Sequence, residues 1–232
     1  MPALTPDIPK TEMAIVEMTN AFRRENKLAT VTSNSTLAQA ARAYARFLAR
    51  TDLFSHEADG RRPADRARAA GYAFCEIAEN LAAFVDSRGF ETRDLARQMV
   101  EGWKNSPAHR QAMLSPGVTE LGVAVVKANG AEKYFSVQLF GRPASLQFKF
   151  DIENDTNTPI RYTFESERME VKPHFSVRHT ACTPGEINFD LTGGNFARAV
   201  GSRYETRDGR VFRLTTDHDG KIRIELIPSV AE

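Results

Sequence analysis

The chain has 232 residues, 41% of them hydrophobic, enough for a buried core in one large domain or two small ones. Lys and Arg total 31 against 30 for Asp and Glu, a net charge of +1, which argues against the concentrated basic face that nucleic-acid binding requires. Apolar runs are no longer than stretches such as LGVAVV, so no membrane span is expected.

The N-terminal stretch MPALTPDIPKTEMAIVEM lacks a basic segment leading into a continuous apolar one, so no signal peptide is read there. From residue 9 to about 113 the apolar pattern is helical. Ile15, Thr19 and Phe22 recur at helical spacing after Asp7-Ile8-Pro9, a cap and first turn. Leu37, Ala41, Tyr44 and Leu48 form a second stripe, with Asn34 or Ser35 as cap and Gln39, Arg42, Arg46 and Arg50 on the opposite face. A short helix is predicted over Pro63 to Ala70, stopping at Gly71. Its cations Arg61, Arg62, Arg66 and Arg68, interrupted by Asp65, read as a solvated face. A further helix spans Thr92 to Lys104, with Leu95, Met99 and Trp103 spaced by four. Pro107 starts another helical turn soon after.

The period then changes. TELGVAVVKANGAEKYFSVQLFG reads as two β-runs joined by a loop that contains Asn129-Gly130. Helices followed by a hairpin indicate an α+β arrangement. Beyond Pro143 the alternation has period two: Leu146, Phe148, Phe150 and Ile152, then Ile160, Tyr162 and Phe164, then Ile187, Phe189 and Leu191, then Ile222, Ile224 and Leu226. These short strands predict a small all-β sandwich or barrel, which places domains at 1–143 and 144–232.

Few side chains in the first half can do site chemistry. His56 follows the second helix, His109 lies in WKNSPAHR, and Glu79 interrupts the apolar run EIAENLA. A buried acid there is costly unless something cationic or metallic compensates it. Two imidazoles and a carboxylate with an open position suit zinc. Spacing alone favours the plainer reading of three unrelated polar residues at element ends. Ser55 and Ser106 have no nucleophile-elbow surroundings. Cys75 is a candidate thiolate or a small buried hydrophobe, and Cys75 and Cys182 are either free thiols or one long-range bridge. His174, His179 and Cys182 suggest soft-metal ligation, but a shared strand would put the two histidines on opposite faces. TDHDGK reads as a hairpin turn and not a calcium loop, because the later ligands are missing.

Five motifs, FSHEADGRRPADRARAAGY, AENLA, MVEGWKNSPAHRQAML, TELGVAVV and YFSVQLFG, occur in this order over about residues 10 to 142. Together they resemble the bacterial branch of the CAP superfamily, the cysteine-rich secretory, antigen 5 and pathogenesis-related proteins. The resemblance implies an α-β-α sandwich, here followed by the β-rich domain. It also implies a cleft formed by His56, Glu79 and His109, with Glu120 as a further cleft residue. No acid follows Trp103 where many eukaryotic members carry one, and Ala78 stands where GEN is commoner. The eukaryotic disulfides are absent.

The implied function is a secreted or periplasmic binding module whose ligand is an extracellular protein, lipid or cell-wall component. Zinc or another divalent ion on His56, His109 and Glu79 is the implied cofactor. The alternatives are a metal-dependent hydrolase using the same three residues and a lipid-binding protein. Export and the missing signal peptide are reconciled if the sequence is a mature segment with an added Met1.

Overall fold

The computed structural model describes residues 3–191 and 203–228. The chain divides into two compact units, Met1–Ser145 and Leu146–Glu232.

The first unit is an α-β-α sandwich. Helix α1 (Ile8–Glu25) starts at Asp7, whose carboxylate accepts the Lys10 amide, with a proline in its first turn. Strand β1 (Thr32–Ser33) leads into α2 (Ser35–Thr51), which Asn34 caps by accepting the Thr36 and Leu37 amides. Then follow α3 (Pro63–Ala69), β2 (Phe74–Val85), α4 (Thr92–Asn105), α5 (Pro107–Met113), β3 (Glu120–Lys127) and β4 (Lys133–Pro143). The sheet order is β1-β3-β4-β2, so β2 is an edge strand, paired antiparallel to β4 alone. Sequence periodicity does not assign β2, because its polar residues Glu76, Glu79 and Asn80 break the alternation.

Strand residues alternate between faces, and the two faces carry different helices. Leu81, Val137, Leu139 and Ala124 pack with Leu37, Ala41, Tyr44 and Leu48 of α2 and Ala67 of α3. Ala82, Phe140, Val123 and Val125 pack with Ile15 and Phe22 of α1, Leu95, Met99 and Trp103 of α4, and Met113 of α5. Gly122 lets α2 lie close on β3: a Cβ there would sit 2.2 Å from the Leu37 carbonyl carbon.

The second unit is all β. Strands β5 (Phe148–Asn154), β6 (Ile160–Phe164), β7 (Glu167–Val171), β8 (Ser176–Ala181), β9 (Glu186–Asp190), β10 (Arg203–Glu205), β11 (Val211–Thr216) and β12 (Ile222–Ile227) form two four-stranded sheets. Their orders are β10-β9-β6-β7 and β12-β11-β5-β8. The inward residues Phe150, Ile152, Phe212 and Leu214 of one sheet and Ile160, Tyr162, Ile187 and Phe189 of the other share one core, a sandwich. Two residues leave the predicted stripes. Leu146 lies in a single 3₁₀ turn and is exposed, because β5 begins at Phe148, and Leu226 is exposed near the end of strand β12. TDHDGK forms the β11–β12 turn, where Asp217 accepts the amides of Asp219 and Lys221 and Gly220 takes a positive φ of 79°.

Candidate functional site

Glu79 and Asn80 are neighbours on edge strand β2, so their side chains leave by opposite faces. Each reaches one of the two histidines. On the α2–α3 face, Glu79 Oε1 lies 2.8 Å from His56 Nδ1. On the α1–α4–α5 face, Asn80 Nδ2 donates to the His109 carbonyl at 3.1 Å and to Gln138 Oε1 at 3.0 Å. Gln138 in turn donates to Thr19 Oγ1 at 2.9 Å, tying the strand pair to α1. Trp103 Nε1 donates to the Leu81 carbonyl at 2.8 Å and seats α4 on the same strand. Two layers of the sandwich therefore deliver their histidines to one sheet edge.

The segment carrying His56 is pinned from below. Helix α2 ends at Asp52, in the left-handed region at φ 57°. The Tyr44 hydroxyl then donates to the Ser55 carbonyl and accepts the Ala58 amide. Arg66, only 6% exposed, completes the anchor. Its Nη1 donates to Asp59 Oδ1 at 2.9 Å and to the Arg61 carbonyl at 2.7 Å. Its Nη2 donates to the His56 carbonyl at 2.9 Å and to Glu79 at 2.8 and 3.0 Å. The guanidinium carbon also lies 3.5 Å from the Tyr44 ring centroid, a cation–π contact.

Arg66 corrects the reading of residues 61–68 as a solvated face: Arg62 and Arg68 are exposed, whereas Arg66 and Ala67 point inward. The buried Glu79 required a cationic or metallic partner, and Arg66 is that partner. Glu79 marked the need, but helical periodicity hid which arginine meets it.

An ionised Glu79 can only accept, so the neutral His56 ring carries its proton on Nδ1 and leaves Nε2 with a lone pair. The His56 side chain is 48% exposed and that of Glu79 is 1% exposed. His109 is half-buried, and burial pulls its pKa below the ordinary histidine value, with the His56 charge adding to the shift.

Glu120 is not drawn to this pair. It stands on β3 opposite Gly141 of β4, two strands from β2, and accepts from the Tyr72 hydroxyl at 2.5 Å. Burial and that carboxylate push the Tyr72 pKa up. Gly141 makes room for the ring: a Cβ there would come 2.6 Å from it.

The expected metal set His56, Glu79 and His109 is not preassembled. Among the described residues no three His, Cys, Asp or Glu side chains gather as a ligand group. Both Glu79 oxygens are already engaged by Arg66 and His56, so neither is free to complete the expected set. Cys75 is excluded as a thiolate nucleophile because neither cysteine is free. His174 sits at φ 58° before β8 and bonds Asn157, whereas His179 lies within β8, so they share no strand.

Residues 16–140 match the family model described as CAP, the cysteine-rich secretory protein family, over more than half of the chain. YkwD of Bacillus subtilis is 30% identical over 118 residues, 50% of this chain and 43% of that protein's length. An outer surface protein from Borrelia burgdorferi covers 57% of this chain and 92% of its own, at 22% identity and a TM-score of 0.51, a likeness of fold. An extracellular protein with an SCP domain from Bacillus anthracis is 25% identical, covering 61% of this chain and 45% of its own at a TM-score of 0.48. Five ordered motifs, the α-β-α sandwich and the family match agree: the chain belongs to the cysteine-rich secretory protein family.

Proposed function

We propose that the chain is an exported binding module, extracellular or periplasmic, whose cleft presents His56 and His109 to a ligand. The observation that carries this reading is the bonding of Glu79. Its charge is compensated by Arg66 and its oxygen orients His56 through Nδ1, leaving Nε2 of His56 as a fixed acceptor or donor atom for a ligand. A carboxylate behind an imidazole is the arrangement that orients metal-binding histidines, so zinc or another borderline divalent ion on the imidazole pair is part of the proposal. Such an ion would supply Lewis acidity, and Glu79 would serve as orienting partner. The hydrolase alternative requires Glu79 as ligand or general base, and a carboxylate held by Arg66 and His56 is poorly placed for either role. Export is supported by Cys75 and Cys182, neither of which is free, since disulfides persist in oxidising compartments.

Calorimetric titration of zinc into the full chain tests the reading. The parent binds one ion, and His56→Ala and His109→Ala each remove most of the binding. Unchanged binding in the double variant would move the metal elsewhere, and no binding in the parent would remove the metal from the proposal.

A second reading, lipid binding, is favoured by one observation. A groove of roughly 620 Å³ runs between α1 and the start of α2, with Met13, Val16, Ala38, Leu121 and Val123 in its lining. Solvent extraction of the purified chain followed by mass spectrometry tests it, and an extract without co-purified lipid would count against it.

A further inference from the structure

A different pocket, of roughly 400 Å³, lies between α2 and α3, with Tyr44, Phe47, Arg50, Asp59, Arg61 and Arg66 in its lining. Tyr44, whose ring is nearly parallel to that of Phe47 (11°, centroids 6.1 Å apart), is buried under Arg66, so Phe47 supplies the partly exposed aromatic surface. Three guanidinium groups surround it. Arg50 sits 5.6 Å from the Phe47 centroid, and Arg66 packs on Tyr44. The exposed side chains of Arg50 and Arg61 enter no ion pair among the described residues. Asp59 is the only acid in the lining, and its Oδ1 is already taken by Arg66 Nη1 and the Arg61 amide.

One donor of Arg66 lacks a partner among the described residues. Arg66 is more than nine-tenths buried and spends both terminal nitrogens on Asp59, Glu79 and two carbonyls, yet its Nε–H finds no acceptor. A buried donor without a partner is costly, and such groups in native structures tend to mark a ligand, ion or water. The pocket volume falls within the ~300–1,000 Å³ range of small-molecule sites.

We propose that this pocket binds a small organic carboxylate with a flat, apolar body. The carboxylate pairs with Arg50 and Arg61, where planar guanidinium forks match its two oxygens, and the body lies against the partly exposed Phe47 ring. The site goes beyond the imidazole cleft and requires neither histidine. The two share Arg66, which lines the pocket and holds Glu79.

Benzoate is the probe, with benzamide as the neutral counterpart and inorganic phosphate as the anion without an apolar body. Arginine side-chain ¹H–¹⁵N spectra of the full chain report binding directly. Benzoate should shift the Arg50 and Arg61 Nε–H signals saturably, with benzamide and phosphate each at least about tenfold weaker. Arg50→Gln and Arg61→Gln, both at exposed positions and so compatible with folding, should each weaken benzoate about tenfold, the loss of a charge-assisted hydrogen bond. His56→Ala should leave benzoate binding unchanged. Absence of a saturable shift, equal binding of benzamide or phosphate, or unchanged binding in the Arg50→Gln/Arg61→Gln double variant would overturn the proposal.

Discussion

Arg66 holds the candidate site together. It is buried, it compensates a buried carboxylate, and it ties the His56 carbonyl to the same point. Removing one partner of a buried pair leaves an uncompensated charge, at a cost of about 3–5 kcal/mol. Arg66→Met should lower the unfolding free energy by that amount in urea titration. Adding Glu79→Gln should restore part of it, because the stranded charge disappears; a double variant no more stable than the single would show that the cost lies in lost packing. The sequence made the need for this residue visible and its identity invisible. Glu79 in an apolar run demands a partner, whereas Arg66 sits among exposed arginines whose spacing on a seven-residue helix cannot say which one turns inward. Glu120 shows the opposite limit. A motif can number a residue as part of a cleft, but only the sheet register reveals that Tyr72 occupies it instead.

Among the elements, those with clean periodicity were legible and those with mixed roles were not. Leu37, Ala41, Tyr44 and Leu48 predict α2 because one face is wholly apolar, and all four are at most 1% exposed. Strand β2 escapes such a reading because it is an edge with work on both faces, so its sequence alternates neither cleanly nor for long. Strand β8 makes a testable case in the second unit. His179 stacks on Phe150 at 4.9 Å between centroids and shares a 2.9 Å hydrogen bond with Tyr162 of the facing sheet. Burial pulls its pKa down, partly opposed by Asp151 of β5. The folded state therefore binds this proton less readily than the unfolded chain, whose histidine titrates near ~6.5. The contribution to stability is present above that value and is lost as pH falls from it toward the lowered folded pKa. Thermal denaturation between pH 7 and 5 should show a loss that His179→Phe diminishes; an unchanged pH slope in that variant would place the titrating group elsewhere.

For the whole molecule, each unit owns a core. The sandwich layers close on the first sheet from both sides, and the aromatic cluster around Phe150, Tyr162 and Phe212 fills the second unit. A fragment covering 1–145, with Cys75 replaced by Ser to avoid a stray thiol, should melt cooperatively by circular dichroism; a fragment without a transition would mean that the two units fold as one. The change of hydrophobic period beyond Pro143 falls close to the boundary between the compact units at Ser145. The proposed meeting of His56 and His109 was less readable, because it depends on consecutive residues of β2 whose side chains leave by opposite faces of the sheet. That meeting is the central claim, and histidine ¹H–¹⁵N titration of the full chain tests it most directly. His109 should titrate below an ordinary histidine, and its pKa should rise in His56→Ala, because the neighbouring charge that lowers it is gone. A His109 titration identical in parent and variant would contradict a shared cleft.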